Sequence, residues 1–467
     1  MRVILWSCKG DRIFVVHTYS LNGYNIAIDG NSGSIHMLDD ITYHMLKDTN
    51  EMPSLVNVQE KLRKKYTVNE ISEAYNEIKS LNEQGMLFSS IKSLEEAVGS
   101  KQMNNCLKAL CLHVSHDCNL RCEYCFASSG DYNSGRMLMS KDVALKALDY
   151  LARNSKGRRN IEIDFFGGEP LMNFDVVKET VAYGRKVEKI TGKHFYFTIT
   201  TNGTLLDKEK INYINENMDN VVISIDGRKE VHDAVRHDRA CRGSYDKVMP
   251  LAKELVAGRN GKSYFIRGTF TARNKDFSKD VMHLADMGFK EISVEPVVGS
   301  AEDLYFKESD IPEILKEYEN LAFQYIGRLS DDRKFRFYHF NIDLYDGPCL
   351  FKRVTACGAG YEYLAVSPEG NLYPCHQFVG QDKFVIGNVY SGINNSKKCN
   401  EFMKNNILSK EKCRDCWAKL FCSGGCHANA YFSNSSISEP NELSCILQKK
   451  RIECAIMIQV LKGDKAI

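Results

Sequence analysis

Ten of the 17 cysteines lie between Cys349 and Cys454, in a stretch rich in glycine and asparagine and poor in apolar runs. Such a segment cannot close a hydrophobic core by itself. In a reducing compartment, so many thiols are explained by metal rather than by disulfides. Residues 340–467 are therefore read as a metal-organised domain. The chain has 467 residues and 43% hydrophobic content, enough for a barrel-sized catalytic domain and one small module besides.

Strand-like runs at 110–115, 161–166, 195–201, 221–225, 265–271 and 292–297 alternate with amphipathic helical patterns. That alternation predicts an α/β fold with parallel strands, a partial (β/α)6 TIM-like barrel over 105–335. Ahead of it, residues 1–95 predict short antiparallel strands at 13–16, 24–28 and 35–38, with a turn at Gly30-Asn31-Ser32-Gly33. Helices follow at 40–46, 55–65 and 68–84, the last stopped by Gly85, which together describe a small winged-helix module. The charged stretch at 91–101 reads as a polar connection.

With 62 basic and 60 acidic residues the net charge is +2, which offers no global field for nucleic acid or an anionic membrane. No run of about 18 apolar residues occurs, and the start MRVILWSCKGDR lacks the parts of a signal peptide. A cytoplasmic protein with neither a nucleic-acid nor a membrane partner is expected.

Just after the first barrel strand, CNLRCEYC sets Cys118, Cys122 and Cys125 at CxxxCxxC spacing. Three thiolates can hold three irons of a 4Fe-4S cube and leave the fourth open, an arrangement suited to chemistry rather than to storage. Gly167, Gly168, Glu169 and Pro170 close the second strand, where glycines allow close backbone approach and a carboxylate can meet an ammonium. TTNGT, with Thr201 and Asn202, and SIDG, with Ser224 and Asp226, end later strands on the same face, where barrels bind ligands. The plain alternative is that such strand-end polar groups only cap helices and shape turns.

The CxxxCxYC pattern followed by FFGGEP resembles the radical S-adenosylmethionine (SAM) superfamily. The resemblance implies that the open iron chelates the amino and carboxylate groups of SAM. Tyr124 matches the aromatic position of the loop, and Arg236 is implied as a carboxylate partner. It also implies reductive cleavage to a 5′-deoxyadenosyl radical that takes hydrogen from an unactivated carbon, so no acid–base triad is expected.

In the last domain Cys357, Gly370-x4-Cys375, CRDCWAKLFCSGGC and Cys445 resemble the SPASM domain. This implies two auxiliary 4Fe-4S clusters, three clusters in all. The distal one would be held by Cys413, Cys416, Cys422 and Cys445, the proximal one by Cys357, Cys375 and Cys426, with Cys349 or a substrate thiolate left to complete it. A zinc ribbon would normally use two CxxC pairs, and only Cys413 and Cys416 form one. Cys8, Cys106, Cys111, Cys241, Cys399 and Cys454 read as buried small apolar residues. His376 and His427, each beside a ligand cysteine, read as hydrogen-bonding neighbours.

The N-terminal segment resembles the peptide-recognition element of ribosomal peptide maturases, which implies a leader peptide added as a strand at 35–38, with the helix at 71–81 supplying apolar pockets. The whole order most closely resembles the SCIFF maturases, of sactipeptide type. It implies thioether (sulfur-to-carbon) crosslinks in a cysteine-rich precursor peptide and a low-potential electron donor such as flavodoxin or ferredoxin. The rivals are formylglycine-forming sulfatase maturation, carbon-carbon crosslinking, and a non-catalytic electron carrier. A carrier has no need of an open iron.

Overall fold

The computed structural model describes residues 15–99, 106–298, 303–330, 332–344 and 348–464. Strands β1 (Val16–Leu21), β2 (Tyr24–Asp29) and β3 (Ile35–Leu38) form an antiparallel sheet in that order. The first strand was expected at 13–16, of which 13 and 14 lie outside the described residues, but it begins at Val16 and runs on to Leu21. Its position follows from Asn22 (φ 52°) and Gly23 (φ 82°), both left-handed, which make the two-residue turn pairing Leu21 with Tyr24.

Helices α1 (Asp40–Leu46), α2 (Leu55–Leu62) and α3 (Val68–Glu83) cover one face of this sheet. A capping box between Thr67 and Glu70 starts α3. Ile71, Ala74 and Ile78 of α3 pack with Ile41, Met45, Val58, Leu62 and Ala27 into a separate core. The apolar face of α3 is therefore spent inside the module, contrary to the expectation that it lines a peptide pocket. Among the described residues β3 pairs only with β2, so its other edge is open.

The stretch read as a polar connection is instead helix α4 (Ile91–Gly99). Ile91 and Leu94, three apart on one face, are buried against Val354, Ile407 and Leu420, and the intervening Lys92 and Ser93 are exposed.

The main sheet carries β4 (Ala109–Ser115), α5 (Lys141–Asn154), β5 (Asn160–Gly167), α6 (Phe174–Thr191), β6 (His194–Thr201), α7 (Lys208–Asn217) and β7 (Asn220–Ser224). It continues through α8 (Lys229–Val235), α9 (Tyr245–Ala257), β8 (Ser263–Phe270), α10 (Phe277–Asp286), β9 (Glu291–Pro296), α11 (Ile311–Gly327) and the short β10 (Arg336–Phe337). β4 to β10 lie side by side in chain order, all parallel, so their C-terminal ends share one rim.

The cysteine-rich segment is more regular than its sequence suggests. After α12 (Leu350–Thr355), strand β11 (Tyr363–Val366) pairs in parallel with β4, Tyr363 opposite Ala109. β12 (Asn371–Tyr373), β13 (Gly387–Asn388) and β14 (Gly392–Ile393) add antiparallel strands, giving an eleven-stranded sheet. α13 (Ser396–Lys404), α14 (Glu411–Arg414), α15 (Lys419–Cys422) and α16 (His427–Asn434) precede the 23-residue α17 (Glu442–Asp464). Loops were expected there, yet Ile452, Cys454, Ala455, Ile456, Met457 and Ile458 of α17 are buried in the main core. Among the described residues no helix is long and apolar enough to cross a membrane.

Candidate functional site

Beyond Ser115 the chain leaves β4 in the loop that carries Cys118, Cys122 and Cys125, and the end of β5 is laced to it. Gly168 N donates to Ser115 O at 2.7 Å and Glu169 N to Asp117 O at 2.9 Å. A Cβ on Gly167 (φ 125°) would stand 2.3 Å from Ser115 O, and one on Gly168 2.3 Å from Asp117 O. Only glycine permits this approach.

Glu169 is fully buried. Its carboxylate accepts from Thr201 Oγ1 (2.7 Å), Asn202 N (2.8 Å) and Leu171 N (3.0 Å). The last bond caps the 3₁₀ turn Pro170–Asn173, with Pro170 at its first position, so the capping role holds here. Burial raises the carboxyl above its ordinary range, while these donors and Arg236 pull it back. Three donors leave room for about one more on a carboxylate.

Asn202 Nδ2 donates to Asn119 Oδ1 at 3.0 Å and lies 3.6 Å from Cys118 Sγ, and Asn119 Nδ2 donates to Thr204 Oγ1 at 2.6 Å. The end of β6 is thus tied to the cysteine loop. Asn119, a spacer in the motif, gave no signal in the sequence beyond its place between two cysteines.

On the other side Arg236 Nη1 donates to Tyr124 Oη at 2.6 Å, and Tyr124 Oη donates to Asp226 Oδ2 at 2.7 Å. Arg236 lies 3.7 Å from Asp226 Oδ1, which also accepts from Thr269 N. Burial raises the Asp226 carboxyl, and Arg236 works against that. Burial works against the Arg236 charge, but Tyr124, Cys122 and Asp226 together hold the guanidinium firmly protonated. Arg236 is 8% exposed, and its Nε is buried without a hydrogen-bond partner among the described residues.

Cys118, Cys122, Cys125, Tyr124, Gly167, Gly168, Thr201, Asn202, Ser224 and Arg236 line one cavity of about 200 Å³. Glu169, Pro170 and Asp226 stand behind that lining. His376, read from the sequence as a neighbour of Cys375, lines it too, as do Phe166, Arg267, Thr269 and Gln377, which were not singled out. Arg267 sits opposite Ser224 in the β7–β8 register, which the period-two alternation of β8 could have flagged. A second cavity of about 700 Å³ shares Tyr124, Cys125, Phe126, Val297, Val298 and Gln377 with the first. Its far wall is Asn429, Phe432, Ser433, Asn434 and Asn441 of the cysteine-rich segment.

Burial pushes the Cys118 thiol up to about 12 and the Cys122 thiol to about 11. Such thiols stay protonated at neutral pH unless a bound cation draws the proton off, as a metal does. The buried, unsatisfied Arg236 Nε and the glycine-lined wall fit a carboxylate-bearing ligand beside that metal.

Farther along the chain the thiols fall into two electrostatic groups. Cys413, Cys416, Cys422 and Cys445 act on one another, and Cys357, Cys375 and Cys426 do likewise. Among the described residues no three His, Cys, Asp or Glu side chains converge as tightly as one metal ion requires. A four-iron cube, whose cysteine ligands stand on separate irons, makes no such demand. Cys349 is exposed at the N-terminus of α12. His376 Nδ1 is 3.7 Å from Cys375 Sγ and 3.0 Å from Tyr363 Oη, and His427 Nε2 is 3.1 Å from Asn405 O. Cys106, Cys111, Cys399 and Cys454 are buried, Cys8 lies outside the described residues, and Cys241, expected inside, is exposed on a turn with φ 56°.

The Radical SAM superfamily model matches residues 112–268, and the model for SPASM, an iron-sulfur cluster-binding domain, matches residues 357–417. A cysteine-type anaerobic sulfatase-maturating enzyme of Clostridium novyi is 28% identical over 348 residues, 69% of this chain and 88% of that protein. Native anSMEcpe with bound AdoMet superposes with a TM-score of 0.64 at 22% identity, covering 77% of this chain and 100% of the other. Streptococcus suis SuiB bound to precursor peptide SuiA gives 0.53 at 16% identity, covering 91% of this chain and 97% of the other. At these identities the solved structures speak for the fold. The chain therefore carries a radical SAM domain, with a cysteine-lined cavity at the rim of its parallel strands, followed by a SPASM iron-sulfur domain.

Proposed function

We propose that this chain is a radical SAM maturase that forms intramolecular cysteine thioether crosslinks in a ribosomally made, cysteine-rich precursor peptide. The reading assigns leader recognition to a winged-helix domain over 1–95, the radical reaction to a partial barrel over 105–335, and the auxiliary clusters to 340–467. It rests above all on the open-edged N-terminal sheet docked against the cysteine-rich segment. β3 offers a row of unpaired backbone groups to an extended leader peptide. SuiB, described as bound to a precursor peptide, matches 91% of the chain, whereas anSMEcpe matches 77%.

In this reading Cys118, Cys122 and Cys125 hold the SAM-binding cluster, and Arg236 Nε and the remaining acceptor site of Glu169 receive the carboxylate and ammonium of SAM. The cluster with bound SAM would supply the 5′-deoxyadenosyl radical. Tyr124 and Asp226 keep Arg236 aimed, and the Gly167-Gly168 wall lets the ligand approach the backbone. The neighbouring 700 Å³ chamber, with side-chain amides from Gln377, Asn429, Asn434 and Asn441, suits an extended peptide backbone. A low-potential flavodoxin or ferredoxin would deliver the electron.

The test is anaerobic turnover with SAM, a reductant and a cysteine-rich precursor peptide, followed by mass spectrometry. Thioether formation predicts 5′-deoxyadenosine and a peptide lighter by two hydrogens per crosslink, with matching loss of alkylatable thiol. The 28% identical C. novyi protein favours a second reading, oxidation of a sulfatase cysteine to formylglycine. That activity would convert a sulfatase-derived peptide to an aldehyde and leave the precursor peptide unchanged. Failure to make 5′-deoxyadenosine with either peptide would sink both.

A further inference from the structure

Two lysines of the cysteine-rich segment are buried with no carboxylate to pair them. Lys410 is 2% exposed and donates from Nζ to Gly424 O at 2.9 Å. Lys419 is 1% exposed and donates from Nζ to Asn31 Oδ1 at 2.6 Å. Among the described residues neither ammonium has a carboxylate within ion-pair distance. A buried ammonium answered only by neutral oxygens is strongly unfavourable unless an anion stands nearby.

Both lysines are hydrogen-bonded into the backbone around the cysteines. Lys410 Nζ is bonded to Gly424, in the loop between Cys422 of one cysteine group and Cys426 of the other, so it stands between the two. Its carbonyl also accepts from Cys413 N at 3.0 Å. Lys419 interacts most strongly with Cys416, and its backbone N donates to Cys416 O at 3.3 Å. Asp29 and Asp415 act on it less, and the Asp29 carboxylate is already taken by the backbone N–H groups of Asn31, Ser32 and Ser89.

Lys419 is also a joint between domains. Asn31 belongs to the turn after β2, and in that turn a Cβ on Gly30 would stand 2.7 Å from Trp417 Cα. His17 of β1 stacks on the Trp417 ring at 4.1 Å. The N-terminal sheet therefore presses on the chain between Cys416 and Cys422 and holds the lysine through Asn31.

A four-iron cluster on thiolates carries net negative charge, and its reduction potential responds to nearby charge. Resting on the reading that these cysteines hold such clusters, we propose that Lys410 and Lys419 are their charge partners. Lys410 raises the potential of both auxiliary clusters. Lys419 raises that of the distal one alone, from a position set by the N-terminal module. Both are positioning residues for electron acceptance.

The experiment uses the full chain with Cys118, Cys122 and Cys125 replaced by alanine, reconstituted anaerobically, so that only auxiliary clusters contribute to the spectrum. Iron and sulfide are counted, and potentials are read by redox titration followed by electron paramagnetic resonance. Lys410→Met should lower both potentials and Lys419→Met only one. The expected shift is about tenfold in the reduction equilibrium, about 59 mV for one electron. Lys→Arg at either position should keep the parent value. Loss of a cluster in Lys→Met that Lys→Arg restores is the same charge requirement read as occupancy, and supports the proposal. Unmoved potentials in Lys→Met, or equal loss in Met and Arg variants, would overturn it. A parent protein without auxiliary iron would instead overturn the cluster reading beneath it.

Discussion

Cys118, Cys122 and Cys125 hang from the end of β4, a strand buried along its whole length between β5 and β11, whereas Cys413, Cys416 and Cys422 sit on one-turn helices and the loops joining them. The first loop is placed by parallel strands and by the Gly167-Gly168 lacing. The second is held by a small apolar cluster of Ile91, Leu94, Val354, Ile407 and Leu420, with two buried lysines close by in the chain. The difference teaches which site a fold can build without metal. A sheet positions its own strand ends, while a segment of short turns needs bound metal to complete its folding energy.

The largest effect expected from this contrast comes from stripping metal with a chelator under reducing conditions. Amide hydrogen exchange should lose most of its protection across 411–426, while β4 to β9 keep theirs and α17 stays protected through its apolar face. Simultaneous loss in both regions would break the comparison.

Gly168→Ala probes the scaffolded site alone. Its Cβ would meet the Asp117 carbonyl, a backbone atom that cannot step aside without parting the two strand ends. A cost of about 1–3 kcal/mol in unfolding free energy is expected, together with loss of SAM binding measured by equilibrium dialysis. The iron held by the C-terminal cysteines should not change. If the variant binds SAM like the parent, the lacing is not what shapes the cavity.

The smallest effect concerns Asp164 on β5. Burial raises its carboxyl from 3.8 to about 6, with Glu162 adding to the rise and Thr198 and Lys108 opposing it. Below pH 3.8 folded and unfolded chains are both protonated there, so the group costs nothing. As pH rises toward about 6 the unfolded chain releases its proton first, and stability falls until the folded form ionises as well. Asp164→Asn should therefore gain about 1–3 kcal/mol over the parent at pH 7. In denaturant titrations the gain should vanish near pH 3. A gain independent of pH would assign the effect to packing instead.

Much of the site was legible because its signals are local. CNLRCEYC, GGEP, TTNGT and SIDG each end or follow a strand, and the seven parallel strands β4 to β10 bring such ends to one rim wherever the helices between them pack. The division of the last domain's cysteines into two groups came from the SPASM resemblance, residue by residue. The misses were of two kinds. The Asn22-Gly23 turn, α4 and the apolar face of α17 were written in short patterns that charged neighbours and nearby cysteines obscured.

The remaining misses have no local signal. Tyr363 pairing with Ala109, Lys419 reaching Asn31, and Arg267 facing the cavity beside Ser224 each join residues far apart in the chain or set a side chain's outlook. From the sequence alone came the parallel strands and the close spacing of Cys118, Cys122 and Cys125, because periodicity and spacing act over a few residues. Only the tertiary structure decided that the cysteine-rich segment extends the main sheet, walls a second chamber and sends a buried lysine to the N-terminal module. Those are long-range backbone pairings and burials, and they exist only once distant segments have closed on one another.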